Sequence, residues 1–511
     1  MSSDSQPPEH HARDALSRWL ARVLGAAGAA GLLTLAMTVG RRIASPYPLE
    51  WMEGTSLQHA LLIARGELPY AAPSADFIAY VYPPLAYVPV ALAASLFGPS
   101  LPVARAVSVL CTTGTLALLG VASARLARSR AAGLFSAGLF AFGFGYGGAF
   151  LDLARVDALF LLCIAGGAER LSAGRTRAAL IWLAASALAK QHGVILLLAV
   201  LWRGRTEKPK ELPLRFMVGT LFALLGAIGA LQLASEGWFA RYTAEVPRRH
   251  GLQPLLLATF PLIDLLLYLP VITTGAVLAI VRRIRAPSAL DALAIAAIAV
   301  SALGRAHPGG DDNVRLPAFA LLCVVGVAPI ALRALYQPSL ASEAGAALDH
   351  RARTALAIAL CAQAAMLFQP PSLHAPSAAS TERFAALRAT LERCAAGGPA
   401  VALDYGLFTG TPFMHTMALS DLQLGGPSEL GARGTRALLD ALRGPNAPHA
   451  IAVGATFPEL DRVLSAHYEP CADLPAPRMA TGYQPGVLTS QGRRQHVFKR
   501  LSASVTSYSE R

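Results

Sequence analysis

"PLEWMEGTSLQHALLIARGELPYAAPSADFIAYVYPP", residues 48–84, follows the first long apolar run of the chain, residues 19–39. That run is long enough to cross a bilayer, whose core takes about 20 apolar residues per helix. Glu50 and Glu53 therefore stand at the mouth of a membrane-spanning segment. The quoted stretch ends on Tyr80, Tyr82, Pro83 and Pro84, at the start of a second apolar run over residues 83–98. Pro83, Pro84 and Pro89 interrupt this second run. Whether it crosses the membrane decides the side on which every later loop falls.

The chain has 511 residues, of which 54% are hydrophobic and 15% charged. Soluble domains carry about 25% charged residues, so the composition is that of a polytopic membrane protein. The net charge of +13 does not point to nucleic acid. The Arg residues gather at the ends of apolar runs and form no single patch, as membrane topology requires. Apolar runs fall at residues 19–39, 102–124, 131–150, 156–169, 176–189, 192–203, 214–234, 255–281, 287–304, 316–335 and 354–369. These predict about eleven spans. With the N-terminus inside and 83–98 lying at the interface, about twenty basic residues fall inside and ten outside. Arg125, Arg128 and Arg130 are then inside, as are Lys208 and Lys210. A crossing 83–98 turns those clusters outward, so the positive-inside rule favours an interfacial helix there.

The polar residues 1–15 then read as a cytoplasmic tail, 16–370 as the membrane domain, and 371–511 as a segment outside, entered through the Pro/Ser stretch QPPSLHAPSAAS (369–380). PAVALD (399–404) and HAIAVG (449–454) read as strands and FPELDRVLSAHY (457–468) as a turn or helix, which predicts a small C-terminal α/β domain. Cys394 and Cys471 lie there and can pair in an oxidising compartment. Cys111, Cys163, Cys323 and Cys361 read as small residues of the apolar core.

In this topology five polar clusters share the outer face, which predicts one wet cavity there, because polar groups at a membrane cost several kcal/mol, by rough measure, unless satisfied. Glu50 and Glu53 read as general-base or metal-binding carboxylates, or as solvated loop acids and a helix N-terminal acid. In GAFLDLARVDALFLLC (148–163), Asp152 and Arg155 stand three apart and read as a pair on one helix, and Asp157 opens an apolar helix. In ALAKQHGVILLL (187–198), Lys190 and His192 interrupt an apolar run, as a turn or as a phosphate contact. In EGWFARYTAEVPRRHGL (236–252), Arg248, Arg249 and His250 break the positive-inside pattern and point to an anionic partner. In GRAHPGGDDNVRLPAF (304–319), His307 and Asp312 flank Gly309-Gly310, as a polar cap or part of the cavity. Tyr70, Tyr80 and Tyr82 read as interfacial aromatics. No Walker loop, Rossmann fingerprint, His/Cys metal spacing or nucleophile elbow occurs.

The order "PLEWMEG…GELPY…YPPL", "DLARVDALFLL", "AKQHG" and "HPGGDDNVRLPAFA" resembles bacterial members of the GT-C superfamily of integral-membrane glycosyltransferases, relatives of protein O-mannosyltransferases and lipid A aminoarabinose transferases. The resemblance covers most of residues 16–370. It implies a polyprenyl-phosphate-linked sugar as donor, an acceptor glycan, lipid or protein, and inverting transfer at the outer face of a bacterial inner membrane. It implies a first-loop carboxylate as general base, with a divalent cation (Mg or Mn) held by Glu53 and Asp157 as a further option. Glu53 falls at the second position of the family's Asp-Glu pair and Met52 at the first, which leaves the base open between Glu53 and Glu50. Asp157 matches the second-loop acid, with Asp152 beside it, and Lys190 matches a basic position. His192, Arg248, Arg249, His250 and His307 join Lys190 as donor-phosphate candidates by their side of the membrane. A transporter or flippase of lipid-linked sugars is the alternative. It is disfavoured because no internal repeat is evident and the polar residues gather at one face, away from mid-span. A non-catalytic scaffold whose outer domain binds a partner is a third reading.

Overall fold

The structure, a computed structural model, describes residues 8–206, 214–335, 350–477, 479–480 and 494–501. Residues 1–7 of the expected tail lie outside these, as do Lys208 and Lys210. The first helix, Pro8–Gly40, already covers the rest of the tail. Each apolar run predicted to span is helical over at least part of its length. Among the described residues, six helices are long and apolar enough to cross a bilayer: Ala15–Gly40, Leu101–Ala127, Leu214–Ala234, Ala289–Ala306, Asp312–Leu335 and His350–His374. Arg130–Phe142, Thr176–Ala189, Gly193–Gly204 and Pro270–Arg282 are shorter apolar helices between them. The chain is a multi-pass membrane protein. Helix Leu214–Ala234 buries only Met217 and Leu224, and leaves Phe222, Leu225 and Leu233 bare. A row of exposed apolar side chains on a fully hydrogen-bonded helix is a lipid-facing surface.

Local chemistry sets the breaks. Ser100 accepts a hydrogen bond from the Val103 N–H and starts the helix Leu101–Ala127. Ser288 and Asp291 form a reciprocal capping box at Ala289–Ala306. Gly28 and Gly138 let the first helix and Arg130–Phe142 touch backbone to backbone, since a methyl group at either would collide with the other chain segment. The run 255–281, predicted as one span, is broken. It forms Pro254–Phe260, a π-turn over Pro261–Leu267, and Pro270–Arg282. Pro270 has no N–H to carry the ladder across. The buried Gln363 patches this gap: it accepts from the Val271 N–H at 3.1 Å and donates to the Tyr268 carbonyl at 2.9 Å. Residues 84–97 form the short turn and helix Pro84–Tyr87 and Val88–Phe97, packed beside Glu53–Ala64.

Among the described residues the C-terminal segment carries four strands: β1 (Ala400–Ala402), β2 (Ala450–Val453), β3 (Tyr468–Pro475) and β4 (Arg494–Arg500). Their order is β1-β2-β4-β3, with β1 and β2 parallel and the other pairs antiparallel. Helices Ala378–Ala395, Thr416–Gln423, Glu429–Arg443 and Pro458–His467 accompany the sheet. Helix Ala378–Ala395 begins inside the stretch read as a linker, and Cys394 is bonded to Cys471. Two cores result. One fills the helical bundle. The other joins the sheet to the loops of the bundle, with Trp51, Met52, Tyr70, Tyr80, Tyr242 and Val246 packed among Phe384, Leu419 and Ile451. Tyr70 and Tyr80 are therefore core residues of this junction, a correction to their reading as interfacial aromatics.

Candidate functional site

Between the bundle and the C-terminal unit lies a cavity of about 210 Å³. Its walls draw on all five polar clusters and on the C-terminal unit. Glu50, in the loop after the first helix, accepts from Arg155 Nη1 at 2.8 Å and from the Met52 N–H at 3.1 Å. Burial pushes its carboxyl up to about 7, against the pull of the Arg155 charge. Arg155 lies over the Phe150 ring at 5.7 Å. Lys190 stands where helix Thr176–Ala189 ends and the backbone turns extended. Its Nζ donates to Asp157 Oδ1 at 2.8 Å and lies over the Tyr82 and Phe160 rings at 5.5 and 5.8 Å.

His192, two residues on, lines the cavity, as do His250 and His307, whose rings are 4.9 Å apart. His250 caps the short helix Val246–Arg249 and pairs through Nε2 with the Asp421 carbonyl at 2.8 Å, and its Nδ1 has no partner. His307 caps Ala289–Ala306 and opens the glycine turn, where Gly309 takes φ +85°. A carboxyl sharing a cavity with a lysine, an arginine and three imidazoles is suited to accept a proton while anionic charge is held nearby.

The remaining sequence candidates lie elsewhere. Glu53 does not line the cavity. It is fully buried against Arg105, at 2.6 and 2.9 Å, and accepts from the N–H groups of Leu49 and Ala154. Asp157 is set back behind Lys190, which it holds together with Asn313 Nδ2 at 3.1 Å. Asp152 and Arg155 do not pair, because residues 150–156 are not helical. Asp152 binds Arg42 at 2.7 Å, with neither side chain exposed. Asp312 pairs with Arg315 at 2.7 Å, outside the cavity. Arg248 and Arg249 do not line the cavity. Arg249 donates to the carbonyls of Gly426 and Pro427 and lines a separate groove with Trp238, Arg241 and Arg433. Tyr82, Gln191, Asp311, Asn313, Met417 and Asp421 also line the cavity. The first four lie in or beside stretches the sequence marks. Met417 and Asp421 carry no signal in a helix that reads as ordinary amphipathic chain.

No protein-family model matches the chain, and no curated protein matches it in sequence. Among solved structures, ArnT from Cupriavidus metallidurans bound to undecaprenyl phosphate aligns over 93% of this chain and 97% of its own, with TM-score 0.52 and 12% identity. The fold is GT-C. The oligosaccharyltransferase AglB from Archaeoglobus fulgidus, in complex with an inhibitory peptide and a dolichol-phosphate, aligns over 85% of this chain and 69% of its own, with TM-score 0.47 and 12% identity.

The suggested metal pair does not fit a divalent cation. Glu53 and Asp157 are each held by a cationic side chain, Arg105 and Lys190. Among the described residues no three His, Cys, Asp or Glu side chains come together as a metal site.

Proposed function

We propose that the chain is an inverting glycosyltransferase that moves a sugar from a polyprenyl-phosphate donor to an acceptor hydroxyl in this cavity. The observation that carries the reading is the meeting of Glu50 with Arg155, Lys190, His192, His250 and His307 around one space. The fold shared with ArnT, whose structure holds undecaprenyl phosphate, supports a lipid-phosphate ligand. Glu50 takes the acceptor proton as the acceptor oxygen bonds to the anomeric carbon. The bond from that carbon to the phosphate oxygen breaks, and its electron pair leaves with polyprenyl phosphate. Lys190, with His192, holds the phosphate and stabilises the charge it gains on leaving. Arg155 orients Glu50, and Asp157 orients Lys190. A single displacement on one face inverts the anomeric centre.

The Cys394–Cys471 bond supports placing the cavity and the C-terminal unit on the periplasmic side of a bacterial inner membrane, with the N-terminus cytoplasmic. The test is reconstitution of wild type and Glu50→Gln with a panel of polyprenyl-phosphate sugars and a cell-envelope extract, with released polyprenyl phosphate detected by mass spectrometry. Release by wild type, lowered about 10²-fold or more in a folded Glu50→Gln, supports the reading. No release from any donor overturns it.

A further inference from the structure

Asp421 is the one carboxyl that the C-terminal unit presents to the cavity. It sits on helix Thr416–Gln423 four residues after Met417, so both side chains leave the same face. The helix is fixed at both ends. At its start the buried His415 donates through Nε2 to the Trp51 carbonyl at 3.0 Å, and its Nδ1 accepts from the Met417 N–H at 2.9 Å. At its end the Asp421 carbonyl meets His250 Nε2 at 2.8 Å. Ala418, Leu419 and Leu422 anchor the other face in the junction core. The Asp421 carboxyl itself has no hydrogen-bond or ion-pair partner among the described residues, and burial raises it to about 7. Asp421 is half-buried at the cavity wall, and a rigidly placed carboxyl without a protein partner takes its hydrogen bonds from what fills that cavity.

We propose that Asp421, with Met417 beside it, is a specificity-determining residue that binds the hydroxyl groups of the donor's sugar. This rests on the glycosyl-transfer reading above. A carboxyl wall repels a phosphate, so the lipid phosphate takes the side of the cavity that carries Lys190 and Arg155. The sugar attached to that phosphate then faces the C-terminal unit. Two carboxyl oxygens suit vicinal hydroxyl donors, and the Met417 side chain offers an apolar contact for the C–H groups of a sugar ring.

The experiment uses the full-length chain in lipid nanodiscs, with Asp421→Asn, Asp421→Ala and Met417→Ala beside wild type. Release of polyprenyl phosphate is followed as donor concentration is varied, with bare undecaprenyl phosphate as competing inhibitor. Wild-type turnover establishes the transfer reading independently of the variants. The expected result for folded Asp421→Ala is a rise of about ten-fold in donor KM, the weight of one to two hydrogen bonds. Inhibition by bare undecaprenyl phosphate, which has no sugar, stays as in wild type. Asp421→Asn, which keeps the shape and part of the bonding, falls between. A donor KM unchanged in both Asp421 variants overturns the inference while leaving the transfer reading intact. An equal loss of affinity for bare undecaprenyl phosphate also overturns it, because Asp421 then acts on the phosphate or on the fold. Absence of wild-type turnover overturns both.

Discussion

Glu50 and Glu53 are three residues apart and do different work. Glu53 is closed in by Arg105, by two backbone N–H groups and by the absence of any exposed surface. Glu53→Gln leaves the Arg105 charge buried without its counter-charge, which costs about 3–5 kcal/mol. The expected outcome is a lower midpoint of thermal unfolding in detergent, and a midpoint equal to that of wild type would refute the assignment. Glu50 keeps one face on the cavity, and its raised pKa makes a second test. As a base it must be ionised, so kcat/KM should climb as pH rises through about 7. Arg155 pulls this carboxyl down, so Arg155→Gln should move the limb to higher pH. A limb near the ordinary glutamate range of about 4.3 would show that another group titrates. The sequence located this acidic pair but could not rank its members, because the ranking depends on Arg105, fifty-two residues on. A signal for Arg105 was nonetheless present: an arginine inside the apolar run LPVARAVSVL is costly unless paired.

At the scale of elements, the short helices and loops at the ends of the spans do the positioning, and one covalent link secures them. Cys394 ends helix Ala378–Ala395 and Cys471 lies in β3, 77 residues away. In the chain-entropy picture closing such a loop stabilises the fold by roughly 4 kcal/mol. Cys394→Ser with Cys471→Ser should therefore lower the unfolding midpoint, and reducing agent should lower that of wild type while leaving the double variant unmoved. A reductant effect of equal size in both would mean that the bond contributes nothing. Strands β1 and β2 and the helix Pro458–His467 were legible because they are apolar or amphipathic runs of ordinary period. β3 and β4 were not. β3 is an edge strand with a proline and an irregularity at Pro470, and the ladder tolerates proline only in such places. β4, RQHVFKR, is mostly polar, and only alternate residues such as Gln495 and Val497 are buried. The broken span over 255–281 was likewise hidden, since hydropathy sums do not register where a proline interrupts the ladder. The resemblance stated from the sequence and the shared fold with ArnT, aligned over 93% of the chain at 12% identity, point to the same membrane architecture.

For the whole molecule, the C-terminal unit is bound into the rest of the chain. The sequence presented it as a tethered domain after a linker, because the contacts that fix it come from loops more than three hundred residues away. Ala75 accepts from the Met414 N–H at 2.7 Å, Leu49 accepts from the Ala480 N–H at 3.1 Å, and Tyr47 stacks on Phe384 at 5.4 Å. Gly54, in the first turn of the helix that begins at Glu53, lies directly against the Tyr405 carbonyl, where a side chain has no room. Two bodies that share a core of Trp51, Tyr80, Leu419 and Ile451 should unfold together, since neither can expose its half without breaking the other's packing. Thermal unfolding in detergent should give one transition, seen alike by the fluorescence of the five tryptophans, Trp51 among them, and by proteolysis of the C-terminal unit. Gly54→Ala tests the coupling at its tightest contact. Its methyl group must push the Tyr405 backbone aside at a cost of about 1–3 kcal/mol, and the whole transition should shift down with both probes still coincident. Two separate transitions, or a shift confined to the proteolytic probe, would mean that the unit unfolds by itself. In that case Asp421 would sit on a movable wall of the cavity, and sugar recognition there would depend on closure of that wall.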